Sequence, residues 1–316
     1  MNREVNPPPP TTARRVVVLG AGGFLGGAVA KRLADVGHDV TAFWRKPTAL
    51  AEHQNVRSVV GDIRDTLVLA DAIEGADVVY HFASATHPSL FFTNPAAEQW
   101  EALHPLMVMM ETAHRSGVKK IVFPSSGGTI YADSSAARKE DSPLDPQSPY
   151  AIFKLTAEHL LRHAARCGHF SVDVFRVGNP YGPGQPVRSG QGVLSHWIRN
   201  IQDGKPLAVF GDGKAERDYI YLKDVCDLLS VSCDRLEESG TFNLGTGVAT
   251  SLNSLIDHLQ SFFRNKLEVL YLPARASDLA SFSLSPERLL RIAPPGFRFT
   301  DMRSGIEKTL LSHGLS

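Results

Sequence analysis

The feature that most constrains this chain is a glycine-rich turn, "VVVLGAGGFLG", which joins a short apolar run to a helical pattern. Gly20 permits a tight turn, Gly23 lets the backbone approach a pyrophosphate, and Gly26 permits close packing of the helix on the strand. The helix N-terminus, at Phe24 and Leu25, offers unpaired amides and a positive dipole to phosphates. Together these features predict a dinucleotide-binding site.

Apolar, β-rich runs alternate with helical patterns along the first half of the chain. The runs predict strands at residues 14–20, 38–44, 56–62, 77–85, 119–126 and 171–179. Parallel neighbours need crossover helices, so the alternation predicts an α/β fold with a doubly wound parallel sheet, the Rossmann architecture. We expect this NAD(P)-binding domain to span residues 14–178. Ligands of such sheets bind at the carboxyl ends of the strands.

The two flanking regions have different patterns. Residues 1–13 contain four consecutive prolines and predict a disordered tail. Residues 179–316 break into Gly/Pro-rich loops, short strands and two helices near 251–264 and 303–313. We expect this part to form a smaller C-terminal α/β domain that binds the substrate, with some strands returning to the main sheet.

Charge and composition exclude several classes of function. Lys plus Arg equals Asp plus Glu at 33 each, so no overall field recruits nucleic acid or an anionic membrane. No apolar run is long enough to span a membrane, and the N-terminus lacks a hydrophobic signal core, which favours the cytoplasm. The three cysteines form no CxxC motif, and the twelve histidines form no HExxH motif, so we expect no metal site.

The second predicted strand bears on the choice between NAD and NADP. An acid at the end of this strand would bond the adenosine ribose of NAD, but Trp44 stands there, followed by Arg45 and Lys46. A cation at this point favours the 2′-phosphate of NADP, although both charges could equally be solvated in a loop. Asp62, after the third strand, is placed to accept from the adenine amino group. The other expected cofactor contacts are Ile63, Phe82 and Ala83.

Two tyrosines are each followed by a lysine four residues later. Tyr150 and Lys154 fall on one face of a predicted helix, where such a pair is within reach. Tyr219 and Lys223 fall in strand-like sequence, which would separate them by about 13 Å. An ammonium beside a phenol lowers the pKa of the phenol from about 10 towards neutrality, so Tyr150 is the predicted general base.

Eight motifs, taken in order, resemble those of the extended short-chain dehydrogenase/reductase family, and within it the nucleotide-sugar epimerases of the UDP-glucose 4-epimerase type. They are "GAGGFLG", "GDIRD", "DVVYHFAS", "SSGGTIY", "SPYAIFK", "RVGNPYGPG", "FGDGKAERDYIYLKDV" and "FNLGTG". The resemblance runs from about residue 15 to residue 312. It implies that Tyr150 is the general base and acid, and that Lys154 lowers its pKa and bonds the nicotinamide ribose.

The chain departs from the family pattern at two positions. The family keeps a Ser or Thr near the sugar's 4-oxygen, but that position is Gly127 here. The resemblance therefore implies Ser126 as the hydroxyl that contacts the substrate, with Thr129 in reserve. The family also has an Asn in the preceding helix, where this chain has Ala102. Both departures concern details of the substrate rather than the type of reaction.

The same resemblance implies residues that hold a nucleotide sugar, UDP-linked in the family type. Arg217 and Arg275 match positions that grip the phosphates, as guanidinium groups suit phosphate oxygens. Asn179 matches a contact on the diphosphate side, and Asp278 one near the ribose of the nucleotide. An ion pair of Arg217 with Asp218 or Asp224 is the alternative.

Two further polar residues of the strands have structural interpretations. Arg176 lies in a strand that packs under the site, so we interpret it as structural. For His81 we expect a buried strand histidine with satisfied hydrogen bonds.

The leading functional hypothesis is an NAD(P)-dependent nucleotide-sugar 4-epimerase that works through a 4-keto sugar. The main alternative is an NADPH-dependent reductase of a 4-keto nucleotide sugar, which Trp44, Arg45 and Ala102 favour. A dehydratase is less favoured by the resemblance, because dehydratase relatives place an Asp-Glu pair before this tyrosine and "SSGGTIY" has none. A reductase of other substrates and a non-enzymatic NAD(P) sensor are weaker alternatives. The family also implies a homodimer through helices at 95–117 and 149–167.

Overall fold

The computed structural model describes residues 12–83, 95–134, 136–187, 192–274 and 281–315. The strands are β1 (Arg15–Leu19), β2 (Asp39–Trp44), β3 (Val56–Val60), β4 (Val78–His81), β5 (Lys120–Ser126), β6 (Ser171–Val177), β7 (Asn179–Tyr181), β8 (Leu207–Phe210), β9 (Glu216–Tyr221), β10 (Gly240–Leu244), β11 (Ala249–Ser251) and β12 (Val269–Leu272). The helices are α1 (Phe24–Asp35), α2 (Thr66–Ile73), α3 (Pro95–Arg115), α4 (Gly127–Ile130), α5 (Pro149–Arg166), α6 (Val193–Gln202), α7 (Leu222–Ser230), α8 (Leu252–Gln260), α9 (Glu287–Leu290) and α10 (Met302–Ser312).

The main sheet has seven strands in the order β10-β6-β5-β4-β1-β2-β3. Each neighbouring pair is parallel. From β1 the chain winds outwards to β2 and β3, then returns to β4 and winds the other way. The predicted doubly wound parallel sheet is therefore confirmed. The winding reverses between β1 and β4, and the carboxyl ends of these two strands meet at the point where ligands of such sheets bind.

Helices cover both faces of this sheet, which is why its central strands are apolar throughout. On one face α1 and α7 pack against each other and contribute to one hydrophobic core. On the other face α2, α3 and α5 contribute to a second core. Both cores lie below the strand ends, and they hold the loops at the carboxyl edge in place.

The C-terminal part of the chain adds smaller elements around this edge. Strands β11, β9 and β7 form one small sheet, and β12 and β8 form another. Helices α6, α8 and α10 supply apolar side chains to a third core beside them. Strand β10 pairs with β6 in the main sheet, although it falls within residues 179–316. The domain boundary at residue 178 stays a prediction.

Two features of the C-terminal part differ from the expectations. Helices α6 and α7 were not predicted, and the strand-like stretch that contains Tyr219 and Lys223 is strand only as far as Tyr221. Helix α7 begins at the next residue, so no turn residue separates the two elements. Lys223 lies on α7 and forms an ion pair with Asp227 at 2.7 Å.

Local signals place the helix that carries the predicted catalytic pair. Pro149 occupies the first turn of α5, and the Ser148 side chain accepts a hydrogen bond from the Ala151 amide at the N-terminus of the helix. Helix α3 continues through Pro105. None of the described helices is long and apolar enough to cross a membrane.

Candidate active site

The glycine-rich turn between β1 and α1 leaves no room for side chains. Gly20 has a φ of +86°, and a Cβ there would lie 2.6 Å from the Ala83 amide nitrogen. A Cβ on Gly26 would collide with the carbonyl oxygen of Gly20. The turn thus packs closely against the backbone that follows β4, and its own backbone borders the cleft described below.

The N-terminus of α1 opens into this cleft. Gly23 is the N-cap and supplies no side-chain hydrogen bond, and the first turn of the helix carries no acid. Phe24 and Leu25 line the cleft beside the turn. The first amides of a helix lack partners within the helix and favour an anion, so these residues fit the pyrophosphate of a dinucleotide.

A single cleft of about 1550 Å³ runs from this turn to the C-terminal elements. It brings together most of the residues that the sequence singled out, from the cofactor turn to the substrate-binding part. The described members are Gly20, Gly23, Phe24, Leu25, Gly26, Arg45, Asp62, Ile63, Phe82, Ala83, Ser126, Thr129, Tyr150, Lys154, Asn179 and Arg217. Arg275 and Asp278 lie outside the described residues.

The adenosine end of the cleft has a buried indole where an acid would select NAD. Trp44 is 2% exposed, and its Nε1 donates to Ser58 Oγ at 2.9 Å. Arg45 and Lys46 follow it, exposed at the rim of the cleft. Since the indole points into the core, these two cations are the charged groups that β2 presents to a bound adenosine.

Asp62 lies on the same rim, held by an arginine. Arg64 donates to both carboxylate oxygens of Asp62, at 3.0 and 2.8 Å, and this contact lowers the pKa of Asp62 to about 2. Arg64 also forms an ion pair with Glu101 of α3 at 3.1 Å. The carboxylate is therefore fixed as an acceptor, as contact with an adenine amino group requires.

The predicted catalytic pair lies where α5 crosses the end of β5. A hydrogen bond joins the Ser126 side chain to the Tyr150 hydroxyl. Lys154 Nζ donates to the carbonyl oxygen of Pro124 at 2.8 Å and lies 5.7 Å from the centre of the Tyr150 ring. All three side chains line the cleft beside the cofactor turn.

The protonation of this pair differs from the expectation of a phenol with a lowered pKa. Burial raises the pKa of Tyr150 to about 12, and the hydrogen bond from Ser126 opposes the rise. Burial lowers the pKa of Lys154 to about 8, opposed by the charge of Glu158. The ammonium bonds the Pro124 carbonyl, and the loss of solvation on burial dominates the pKa of the phenol.

Gly127 follows Ser126 at the position where the resembling family has a hydroxyl. A Cβ there would lie 2.6 Å from Leu284 Cδ1 and 3.1 Å from the carbonyl oxygen of Arg176. Thr129, two residues on, lines the cleft, and its buried Oγ1 has no hydrogen-bond partner in the described part of the chain. Ser126 and Thr129 thus both carry hydroxyl groups at the wall of the cleft.

The far end of the cleft carries the residues expected to bind phosphates. Arg217 is on β9, and its Nη1 donates to the Glu216 carbonyl at 2.7 Å. Asn179 Nδ2 donates to the carbonyl oxygen of Asp218 at 3.4 Å. Asp218 itself is buried and accepts from the amides of Thr246, Gly247 and Leu284.

The carboxylate of Asp224 is also engaged away from the cleft, since it accepts from Thr300 at 2.7 and 2.8 Å. Both acids named in the alternative for Arg217 thus accept hydrogen bonds from other groups, and that alternative stays a prediction.

Arg176 and His81 lie beneath the site. Arg176 is 1% exposed and forms an ion pair with Glu158 at 2.8 Å, which agrees with its structural interpretation. The expectation for His81 was wrong at one nitrogen, because Nδ1 is buried with no hydrogen-bond partner among the described residues. Burial, and then the charge of Lys154, lowers the pKa of His81 to about 3, so its imidazole is neutral.

Sequence reasoning missed several polar residues of the cleft wall. They are Gln185, His196 and Asn200. His196 and Asn200 are four residues apart on α6, a spacing that places both on one face of the helix. Recognition of α6 as a helix would have revealed this pair.

One family model and several known proteins are similar to the chain. The model of the NAD dependent epimerase/dehydratase family matches residues 16–245. UDP-glucose 4-epimerase of Mycolicibacterium smegmatis is 28% identical over 280 residues, covering 85% of this chain and 89% of that protein. dTDP-4-dehydro-6-deoxyglucose reductase of Escherichia coli is 30% identical over 192 residues, which cover 61% of this chain and 60% of that protein. The structure of MoeE5 in complex with UDP-glucuronic acid and NAD has a TM-score of 0.85 at 29% identity, covering 95% and 99%.

Proposed function

Because the chain belongs to the NAD-dependent epimerase/dehydratase family, we propose that it is a nucleotide-sugar 4-epimerase. It is an enzyme of a family whose members act on nucleotide sugars as epimerases, dehydratases or reductases with a nicotinamide dinucleotide. The observation that carries the proposal is the position of Tyr150. Its phenol is bonded to Ser126 and lies with Lys154 in one cleft that also contains the cofactor turn and Arg217.

In this proposal Tyr150 takes the proton of the sugar's C4 hydroxyl and later returns it. Ser126 donates a hydrogen bond to the phenolate, and the Lys154 ammonium stabilises its negative charge from one helical turn away. When bound, the oxidised nicotinamide supplies the hydride acceptor and a positive charge beside the phenol. A nearby cation lowers the pKa of a phenol, so in this proposal the pKa of Tyr150 falls from about 12 when the cofactor binds.

Arg217 is the proposed anchor for the diphosphate of the substrate. It lines the far end of the cleft, and guanidinium groups suit phosphate oxygens. Anchoring by the diphosphate would leave the sugar ring able to turn over as the 4-keto form, so that either face of C4 can be presented. Asn179, on the neighbouring strand β7, pairs with Tyr219, two residues along β9 from Arg217, and is a proposed second contact.

The contents of the segment after β5 argue against a dehydratase. Elimination of water from a keto sugar needs an acid and a base beside the ring. Gly128 and Thr129 line the cleft there, and neither is a carboxylic acid. The segment can therefore donate hydrogen bonds but cannot supply the acid–base pair of a dehydration.

The cations at the rim favour a second candidate, an NADPH-dependent reductase of a 4-keto nucleotide sugar. We propose that Arg45 and Lys46 accept the 2′-phosphate of NADP, since Trp44 is buried and β2 ends without an acid. A reductase must exchange its cofactor in every turnover, whereas an epimerase regenerates it and can retain it. The relative affinity for NAD and NADP in wild type and in Arg45→Ala tests the cofactor preference.

The test of the proposed function has two parts. Purified protein is denatured, and any released cofactor is identified; bound NAD or NADP in oxidised form supports the epimerase. The protein is then incubated with UDP-glucose, and with the GDP and dTDP analogues, and the products are separated by chromatography. Formation of the C4 epimer by wild type but not by Tyr150→Phe is expected. Consumption of NADPH by a 4-keto substrate without epimerisation would favour the reductase.

We also propose a homodimer in which α3 and α5 of two copies pack together. The two helices pack side by side, and both carry exposed apolar side chains: Trp100 is 59%, Met107 43% and Ile152 47% exposed. Exposed apolar surface of this kind marks contact sites. Light scattering of wild type and of Trp100→Glu, in which a dimer should dissociate, tests the proposal.

A further inference from the structure

Three consecutive residues at the end of β5 bond three residues on one face of α5. Lys154 Nζ donates to the carbonyl oxygen of Pro124 at 2.8 Å. Ser125 Oγ donates to Glu158 Oε1 at 2.6 Å, and Ser126 bonds Tyr150. Tyr150, Lys154 and Glu158 follow one another at intervals of four, so they form one stripe along the helix. The first two residues of this stripe belong to the proposed catalytic pair, and Glu158 has no role in it so far.

The carboxylate of Glu158 is completely buried and held in one position. Its side chain is 0% exposed. Arg176 of β6 donates to it from Nη2 at 2.8 Å and from Nε at 3.1 Å, and Arg162 lies 3.6 Å away. Guanidinium forks of this kind hold a carboxylate in one orientation. The buried anion is thereby fixed one turn of the helix beyond Lys154.

Further hydrogen bonds fix the position of the Arg176 guanidinium. Its Nη1 donates to the Tyr131 hydroxyl at 2.8 Å and to the carbonyl oxygen of Glu140 at 2.9 Å. The Tyr131 hydroxyl donates in turn to Asn243 Oδ1 at 2.6 Å. The anion is therefore part of a rigid polar network beneath the catalytic segment, and it cannot turn away from Lys154.

The groups that face Lys154 come from three elements. On α5 they are Tyr150 and Glu158, on β4 the neutral His81, and on β6 Arg176 behind Glu158. Burial favours the uncharged amine of Lys154, and the negative charge of Glu158 opposes this effect. Among these described groups, Glu158 is the anion that stabilises the ammonium.

We propose that Glu158 is a positioning residue, which joins α5 to β5 through Ser125 and holds the Lys154 ammonium in its charged form. This inference rests on the proposed function, in which the charge of Lys154 stabilises the Tyr150 phenolate and bonds the cofactor. It assigns Glu158 an electrostatic role that acts through Lys154, because the carboxylate does not reach the cleft.

The experiment measures cofactor affinity as a function of pH, by fluorescence of NADH or NADPH, in wild type and Glu158→Gln. In wild type the affinity should fall at alkaline pH as Lys154 loses its proton, and Lys154→Met should remove this fall. In Glu158→Gln the midpoint of the fall should move by about one pH unit to lower pH, because a nearby unit charge has been removed. The same shift should appear in the alkaline limb of kcat/KM.

A matched control separates this role from a purely structural one. Asp173 and Lys120 form another fully buried ion pair on β6 and β5, at 3.0 Å, but at the opposite end of β5. Asp173→Asn should lower the free energy of unfolding and leave the midpoint in place. If Glu158→Gln fails to fold, Glu158→Gln/Arg176→Met removes both buried charges and should show the same direction of shift.

Weaker affinity by the same factor at every pH, with the midpoint unchanged in the folded variant, would overturn the proposal. Because the cofactor assay contains no sugar, it reports on Glu158 even if the wild type epimerises no nucleotide sugar. Conversely, normal epimerisation with an unshifted midpoint would reject the role of Glu158 and leave the proposed function intact.

Discussion

Leu284 occupies the space that a side chain at residue 127 would need. A Cβ built on Gly127 lies 2.6 Å from Leu284 Cδ1, and Leu284 is fully buried. Its amide donates to Asp218 at 3.0 Å, which fixes the backbone of the residue, and its side chain is packed in a buried hydrophobic cluster. The absence of a hydroxyl at residue 127 and the leucine beside it are therefore two parts of one packing arrangement.

This relationship predicts a coupling between the two positions. Gly127→Ser should destabilise the protein by about 1–3 kcal/mol through overpacking, and Leu284→Ala by about 2–5 kcal/mol through a cavity. The double variant should lose less than the sum, because the serine fills space that the leucine has left. Urea unfolding of the four proteins measures the coupling.

Gly128 offers the control for this cycle. A Cβ there would have Phe282 as its nearest neighbour at 3.8 Å, an ordinary contact. Gly128→Ser combined with Leu284→Ala should therefore be close to additive. Additivity of the Gly127→Ser and Leu284→Ala changes as well would show that the two residues do not compete for space.

Removal of the Tyr150 hydroxyl should abolish the chemistry and spare the binding. Tyr150→Phe keeps the ring in its place on α5 but removes the proposed base, so we expect turnover to fall by about 10²- to 10⁴-fold or more. Cofactor affinity should change little. Stopped-assay rates together with cofactor titration check this, and turnover close to that of wild type would refute the assigned role.

The first half of the fold could be predicted because its signals are local. The apolar run of β1, the glycines at residues 20, 23 and 26, and the helical period of α1 lie next to each other in sequence. Helix α7 escaped prediction because β9 passes into it at Tyr221 and Leu222 without any turn residue. The place of β10 beside β6 depends on a pairing between distant parts of the chain, which no local pattern encodes.

The candidate site, like the fold, was predictable only where it depends on residues that are close in sequence. The Tyr150–Lys154 spacing and the helix around it were sufficient to predict that the two residues share one face. The pKa values of the pair were not predictable, because they depend on burial by β4, β5 and the cofactor turn. Likewise, "SSGGTIY" reveals a glycine at residue 127 but not the leucine that fills the space, since Leu284 comes from the far end of the chain.

His81 should make stability depend on pH in a defined window. Its pKa is lowered from 6.5 to about 3 in the folded protein, so the unfolded chain binds one more proton between these values. The contribution of His81 to the free energy of unfolding is therefore fully present above a pH of about 6.5. It is lost as the pH falls below that value, with a slope of about 1.4 kcal/mol per pH unit. His81→Asn should remove this part of the slope.

Urea unfolding at neutral pH and at roughly one and two units below it measures the difference between the two proteins. Other groups titrate in both, so only the difference in slope reports on His81. If the free energy of unfolding of the two proteins falls with pH at the same rate, His81 takes up its proton equally well in the folded and unfolded states, and its pKa is not lowered by folding.

Arg217 should account for a large part of the affinity for the nucleotide diphosphate. It lines the far end of the cleft from β9, and loss of a charge-assisted hydrogen bond should weaken UDP binding by about 1.5–3 kcal/mol, or roughly 10- to 100-fold. Lys214 provides a control, because it is a nearby cation with its side chain 81% exposed and paired with Asp212. Calorimetric titration of UDP into Arg217→Ala and Lys214→Ala should show weaker binding in the first and little change in the second. Raised ionic strength should weaken UDP binding to wild type more than to Arg217→Ala, since the interaction is electrostatic. Equal affinities in both variants and wild type would mean that the phosphates bind elsewhere.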